Sequence, residues 1–315
     1  MKIISPYFRD GLWFKVNLHV HPAPVREETG YFVASIVREY VKAEYNCISL
    51  TGNNEVYVPD KNFNTCEFQE KIGIIPGFEN TGFIPTIVVN SSKCENWKVT
   101  GKEDLQRLIN EQIKRGGIVF FSQPMSYLDM DERVNLLLGL EGYLGIEVLN
   151  GNLLREGYKR SDGNNKYSHD HGGNELELWD RLLSRGKKAW GFGNDGLLKW
   201  GEFNSVFNLV KLRKNSPATP GRIIGALVVG SFVVSTGARI RDIVVENDTI
   251  RLTVENEFEN KVYIAYGNEG RILKMCRTKE STFSYKPGGD EGYVRIQVIY
   301  ESGKTLLTQP FFIGM

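Results

Sequence analysis

The chain has 315 residues, of which 41% are apolar and 24% charged, a composition typical of globular proteins and a length above that of one average domain. Its 39 basic and 38 acidic residues leave a net charge of +1, so we expect neither nucleic acid nor an anionic membrane as a partner. No apolar run of signal-peptide length opens the chain and no segment reaches about 18 consecutive apolar residues, so we expect a cytoplasmic protein without membrane contact.

Strand and helix signals alternate through the first two thirds of the chain. Short apolar runs predict strands at residues 14–21, 46–51, 71–76, 85–90, 118–122, 145–149 and 188–193. Apolar residues at helical spacing predict helices at residues 32–43, 102–115 and 174–186. Strands that alternate with helices favour a parallel sheet or a barrel.

The pattern changes near Arg239. Short alternating runs without a helical period follow, separated by Gly, Asn and Pro turns, at residues 241–245, 249–256, 261–266, 271–276, 281–285, 293–300 and 305–313. Seven strands in about 75 residues are typical of a small β-sandwich. We therefore predict two domains, the first at residues 1–238 and an Ig-like, all-β sandwich at residues 239–315.

All four histidines stand in two His-x-His pairs, His19/His21 and His169/His171. Alternate side chains of a strand share a face, so the rings of His19 and His21 lie side by side and form half of a metal site, unless the pair arose by chance. The second pair belongs to a polar insert at residues 151–173, for which we prefer an exposed loop. The alternative is an insert that folds over the site and supplies an imidazole as a second-metal ligand or general acid.

Further polar residues follow the predicted strands, namely Glu79, Gln123, Glu147 and Asp195. In parallel α/β folds the functional site forms at the carboxyl ends of the strands, so these side chains are candidates for one constellation with the histidine pair. Each carboxylate also has a purely structural interpretation. Glu79 and Asp195 can cap turns, and Glu147 can pair with an arginine.

Seven short motifs follow one another along this region: Asn17-Leu18-His19-Val20-His21, residues 48–54, Pro76-Gly77-Phe78-Glu79, residues 116–124, Gly145-Ile146-Glu147-Val148-Leu149-Asn150, residues 179–183 and Asn194-Asp195-Gly196-Leu197. Their order resembles that of the PHP (polymerase and histidinol phosphatase) family of metal-dependent phosphoesterases, in the branch with a C-terminal β-sandwich. The resemblance implies an α/β fold at residues 1–238, a distorted (β/α)7, TIM-like barrel, followed by the sandwich.

The resemblance also implies metal ligands. Those of one metal in the family's three-metal site match His19, His21, Glu79 and Asp195. The second site would need a histidine where the chain has Gln123, together with a ligand near Glu147.

The third site would need histidines where the chain has Asn53 and Leu197. The missing histidines affect the second and third sites only, so we predict one bound divalent transition metal. Imidazole and carboxylate ligands suit Zn²⁺, Mn²⁺ and Fe²⁺ and do not distinguish between these metals. Gln123 is interpreted as a neutral substitute that hydrogen-bonds, and Glu147 as a ligand or a structural carboxylate.

Two functions remain open. The first is a metal-dependent hydrolase, most simply a phosphoesterase acting on a small anionic substrate, with Glu79 or Asp195 orienting the attacking water. Basic residues of the polar insert would meet such a substrate. The second is a catalytically silent, PHP-like protein that binds a ligand or a partner, which the missing histidines favour.

Overall fold

The structure is a computed structural model and describes residues 2–21, 33–56, 68, 70–94, 98–122, 128–151, 173–196, 202–255 and 258–314. Of these residues 42% lie in strands and 22% in helices. The described chain is therefore mostly β.

The strands lie where short runs of apolar residues occur in the sequence. Those before residue 239 are β1 Ile3–Ile4, β2 Gly11–Val20, β3 Cys47–Asn53, β4 Glu55–Val56, β5 Gly73–Asn80, β6 Thr86–Val89, β7 Ile118–Phe121, β8 Gly145–Asn150, β9 Trp190–Asn194, β10 Phe207–Arg213 and β11 Phe232–Ser235. The remaining strands are β12 Ile240–Glu246, β13 Thr249–Val254, β14 Lys261–Gly267, β15 Arg271–Thr278, β16 Thr282–Tyr285, β17 Tyr293–Tyr300, β18 Thr305–Thr308 and β19 Phe311–Ile313.

Five α-helices occur in the described residues, α1 Val33–Lys42, α2 Lys102–Lys114, α3 Met130–Leu138, α4 Gly173–Ser184 and α5 Pro220–Val228. Their apolar side chains are buried on one face, as in α1, where Val33, Val37 and Tyr40 are buried. Helix α3 begins at a capping box, in which Asp129 accepts from the backbone N–H of Glu132 and the Glu132 side chain returns to the Asp129 N–H. No helix in these residues is long and apolar enough to cross a membrane.

One curled mixed sheet dominates the fold, with the strand order β1-β19-β17-β18-β11-β10-β2-β3-β5-β6-β7-β8-β9. The pairs β2–β3, β3–β5, β7–β8 and β8–β9 are parallel, whereas β6 is antiparallel to both neighbours and β10 is antiparallel to β2 and β11. The curl of the sheet brings β9, the last strand in this order, next to β2, β10 and β11 in its middle. There the Asn208 side chain on β10 accepts from Gly193 N and donates to Gly193 O.

The expected (β/α)7, TIM-like barrel is therefore wrong. A parallel barrel needs a helical crossover between successive strands, but β5 and β6 are joined directly by residues 81–85 and pair antiparallel. Strands β10 and β11 also form an antiparallel pair. The result is a half-barrel of thirteen strands along one path, with helices on only some connections.

The C-terminal strands form two layers around a common core. A three-stranded sheet, β12-β13-β16, packs Ile243, Ile250 and Leu252 against Tyr263 and Val298 of the second layer. That second layer is continuous with the main sheet, because β18 pairs with β11 and β19 pairs with β1. The division into domains at residue 238 stays a prediction.

Candidate metal centre

Two parallel strands on either side of β3 carry the residues of the candidate site. His19 lies near the end of β2, His21 directly follows it, and Glu79 lies near the end of β5, with β3 between them. Parallel strands end at the same edge of a sheet, so these side chains meet. Gly77 allows β5 to lie close to β3 and β6, because a Cβ there would lie 2.6 Å from both Ser49 Oγ and the Val88 carbonyl oxygen.

Three ligand atoms converge at this edge. His19 Nε2 lies 3.1 Å from His21 Nε2 and 3.6 Å from Glu79 Oε2, and His21 Nε2 lies 3.4 Å from the same oxygen. Of the four predicted ligands, His19, His21 and Glu79 form a group that could hold a metal ion. The second oxygen of Glu79 accepts a hydrogen bond from Ser122 Oγ at 2.9 Å, which leaves Oε2 facing the two rings.

All members of the group are buried, and their charges shift one another's protonation. Burial alone would lower the pKa of His19, but the Glu147 and Glu79 carboxylates outweigh it and raise the pKa to about 10. Burial and the neighbouring His19 cation lower the pKa of His21 to about 4. Burial would raise the pKa of Glu79, but the two histidines and the Ser122 hydroxyl lower it to about 2.

Glu147, on β8, lies on the far side of His19 from the ligand group. Its Oε1 atom is 3.0 Å from His19 Nδ1, the ring nitrogen that points away from His21 and Glu79. Asn194 and Asn150 donate to its two oxygens. The structure thus places Glu147 against a histidine of the group, in a position that neither the ligand nor the arginine-pair interpretation described.

Asp195 is buried but has other partners. Its carboxylate accepts from the backbone N–H groups of Asn204, Ser205 and Val206 and from the hydroxyl of Tyr40, at 2.8 to 3.0 Å. Burial raises its pKa to about 6, although these donors oppose the shift. The residues whose ligand atoms lie within 4.8 Å of one another are His19, His21 and Glu79, without Asp195. Its predicted role as a ligand stays a prediction.

The remaining candidates lie elsewhere. Asn53 is exposed at the end of β3, paired in register with Glu79. Gln123, His169, His171 and Leu197 lie outside the described residues.

Four residues that hydrogen-bond to the candidate site residues were not predicted as such: Ser122, Asn150, Asn194 and Tyr40. Ser122 directly precedes Gln123, Asn150 is the last residue of the Glu147 motif and Asn194 directly precedes Asp195. Their proximity to predicted site residues at strand ends was the available signal. Tyr40 carried no such signal, because it lies in the apolar stripe of α1.

No protein-family model matches the chain, and no curated protein matches it significantly. Functional interpretation therefore depends on the geometry of the site and on the order of the sequence motifs.

Proposed function

We propose that the protein is a metal-dependent hydrolase that binds one divalent transition metal through His19, His21 and Glu79. The observation that carries the proposal is the convergence of two imidazole nitrogens and one carboxylate oxygen at 3.1, 3.4 and 3.6 Å. Ligand atoms around a tetrahedral metal with bonds of about 2.1 Å lie about 3.4 Å apart. The three donor atoms are therefore spaced as they would be around a tetrahedral metal.

The chemistry of the donor set agrees with this fit. Two imidazoles and one carboxylate suit Zn²⁺, Mn²⁺ or Fe²⁺, and three protein ligands leave coordination positions for water and substrate. When bound, such a metal supplies Lewis acidity, which activates water and polarises an ester oxygen near neutral pH. Glu79 would bind the metal through Oε2, while the hydroxyl of Ser122 donates a hydrogen bond to its other oxygen and fixes the orientation of the carboxylate.

The same arrangement favours Glu79 over Asp195 as the carboxylate that orients the attacking water. Glu79 is at the converging group, and its low pKa keeps it ionised throughout the physiological range. Each carboxylate oxygen of Asp195 already accepts hydrogen bonds from at least two donors, and Asp195 would have to break some of these bonds to orient a water molecule.

A small phosphate ester is the proposed substrate class. Support comes from the order of the seven motifs, which resembles the PHP family. The retained His-x-His and Pro-Gly-x-Glu motifs supply the three converging ligands. The proposed chemistry needs only this one metal.

The test is turnover of p-nitrophenyl phosphate by the metal-loaded chain, beside Glu79→Gln and the matched control Glu141→Gln. Glu141 is an exposed carboxylate with 83% of its side chain accessible. We expect turnover in the parent and the control and at least a 100-fold loss in Glu79→Gln, since it removes one of three ligands. Bound metal without turnover of phosphate or carboxylate esters would favour the silent, ligand-binding alternative.

A further inference from the structure

Glu147 meets the metal centre from behind His19. The His19 ring offers Nε2 to the ligand group and Nδ1 to Glu147, so its two nitrogens face opposite partners. Both side chains are buried, with 2% of His19 and 1% of Glu147 exposed. A buried carboxylate in contact with a metal-binding imidazole either competes for the metal or orients the ring, and the surrounding hydrogen bonds distinguish the two.

The hydrogen-bond network determines which atoms donate. The backbone N–H of Leu18 can only donate, and it donates to Asn194 Oδ1 at 2.8 Å. The amide nitrogen of Asn194 therefore faces Glu147 and donates to Oε1 at 2.8 Å, while Asn150 Nδ2 donates to Oε2 at 3.0 Å. Glu147 thus accepts at both oxygens, and the proton between it and His19 belongs to Nδ1.

Local backbone irregularities support this placement. The pairing of β8 with β9 shifts register between Glu147 and Leu149, and that of β2 with β3 shifts between Asn17 and Val20, the segment that contains His19. Shifts of this kind, like β-bulges, redirect side chains out of the regular alternation along a strand. Both strands therefore depart from regular geometry where the two side chains meet.

We propose that Glu147 is a positioning residue of the metal centre and not a metal ligand. When His19 gives up its Nε2 proton to bind a metal, Glu147 keeps the remaining proton on Nδ1, so that Nε2 faces the metal together with His21 and Glu79. The inference rests on the proposed metal site and names the residue that tunes it.

The first experiment is calorimetric titration of Zn²⁺ into the metal-free full-length chain, into Glu147→Gln and into the control Glu141→Gln. Loss of an outer carboxylate of this kind weakens metal binding about 10- to 100-fold. We expect a Zn²⁺ dissociation constant higher by that factor in Glu147→Gln, an unchanged one in Glu141→Gln and one Zn²⁺ per chain in all three.

The second measurement needs no substitution and remains decisive if Glu147→Gln does not fold. In the Zn²⁺-loaded parent labelled with ¹⁵N-histidine, we expect His19 to carry its proton on Nδ1 and to bind the metal through Nε2. This spectroscopic signature reports the tautomer itself, which a merely structural contribution of Glu147 would not determine.

The outcomes separate the two proposals. Equal affinity of parent and Glu147→Gln, coordination of His19 through Nδ1, or a drop from two Zn²⁺ to one would overturn the role of Glu147 and leave the metal site standing. A parent chain that binds no metal would overturn the site and this role together.

Discussion

The Nε2 atoms of His19 and His21 lie 3.1 Å apart in the buried edge of the sheet. A hydrogen bond between two imidazoles needs one N–H and one lone pair, so a single proton lies between them. Because the pKa of His19 is about 10 and that of His21 about 4, the proton belongs to His19 at neutral pH. It occupies the Nε2 position that a metal would need.

Metal uptake should therefore release a proton. At pH 7 to 9 we expect about one proton per metal bound and about a tenfold gain in affinity per pH unit, because the metal competes with the His19 proton below pH 10. Calorimetry in buffers of different ionisation enthalpy measures the proton count. An affinity that does not change over this range would contradict the assignment.

The same proton makes the stability of the metal-free chain depend on pH. The pKa of His19 is raised above its unfolded value of about 6.5, so its contribution is fully present below that pH and is lost as pH rises toward 10. Between pH 6.5 and 8 we expect the free energy of unfolding to fall by about 1 kcal/mol per unit.

Above pH 8 this fall is opposed by Lys15, whose pKa burial lowers to about 8. Lys15, and Asp195 with its pKa of about 6, also titrate at the two ends of the lower window, so urea denaturation there is compared with His19→Gln to find the part that belongs to His19. His19→Gln or saturation with Zn²⁺ should flatten the dependence. An equal slope in all three samples would assign it to another group.

Asp195→Asn should reduce stability and spare metal binding. An amide in place of the carboxylate would point an NH₂ group at donors from Tyr40 or the backbone of residues 204–206, at a cost of about 1 to 3 kcal/mol. Denaturation and metal analysis beside the exposed control Asp131→Asn measure both effects. Loss of metal with unchanged stability would show that Asp195 is a ligand, as the motif order implies.

A buried ion pair ties helix α4 to strand β17. Arg295 donates to both oxygens of Asp180, at 2.7 and 2.5 Å, and Tyr293 donates to the same carboxylate at 2.7 Å. Arg295→Met should cost about 3 to 5 kcal/mol, because it leaves a buried charge unpaired. The double variant Asp180→Leu/Arg295→Met should cost less than Arg295→Met alone. A double variant that loses more would mean that packing, and not charge, dominates there.

Many individual elements could be predicted from the sequence, but helices α3 and α5 and strands β10 and β11 were not predicted, and neither was the pairing of the strands. Helix α2 was expected at residues 102–115 and lies at Lys102–Lys114, because its apolar stripe repeats at helical spacing. Strand β6 was also expected, yet a short apolar run has no direction, and its antiparallel pairing on both sides breaks the barrel. The joining of β11 to β18, distant in sequence, left no local signal.

Some residues of the candidate site could also be predicted from the sequence, whereas their hydrogen-bond partners could not. His19, His21 and Glu79 could be predicted because strand ends and motif spacing placed them together. The partners of Asp195 could not, since they are mainly backbone N–H groups of residues 204–206, which any sequence would supply. The contact of Glu147 with His19 required knowing that β8 faces β2 across the curled sheet.

The most direct test of the account is elemental analysis of the full-length chain purified without chelator and then incubated with Zn²⁺ or Mn²⁺. Folded His21→Ala and Glu141→Gln serve as the site variant and its control. We predict about one equivalent of metal in the parent and in Glu141→Gln and none in His21→Ala, since three protein ligands define the site. A parent chain without metal, or metal retained in full by His21→Ala, would contradict the account.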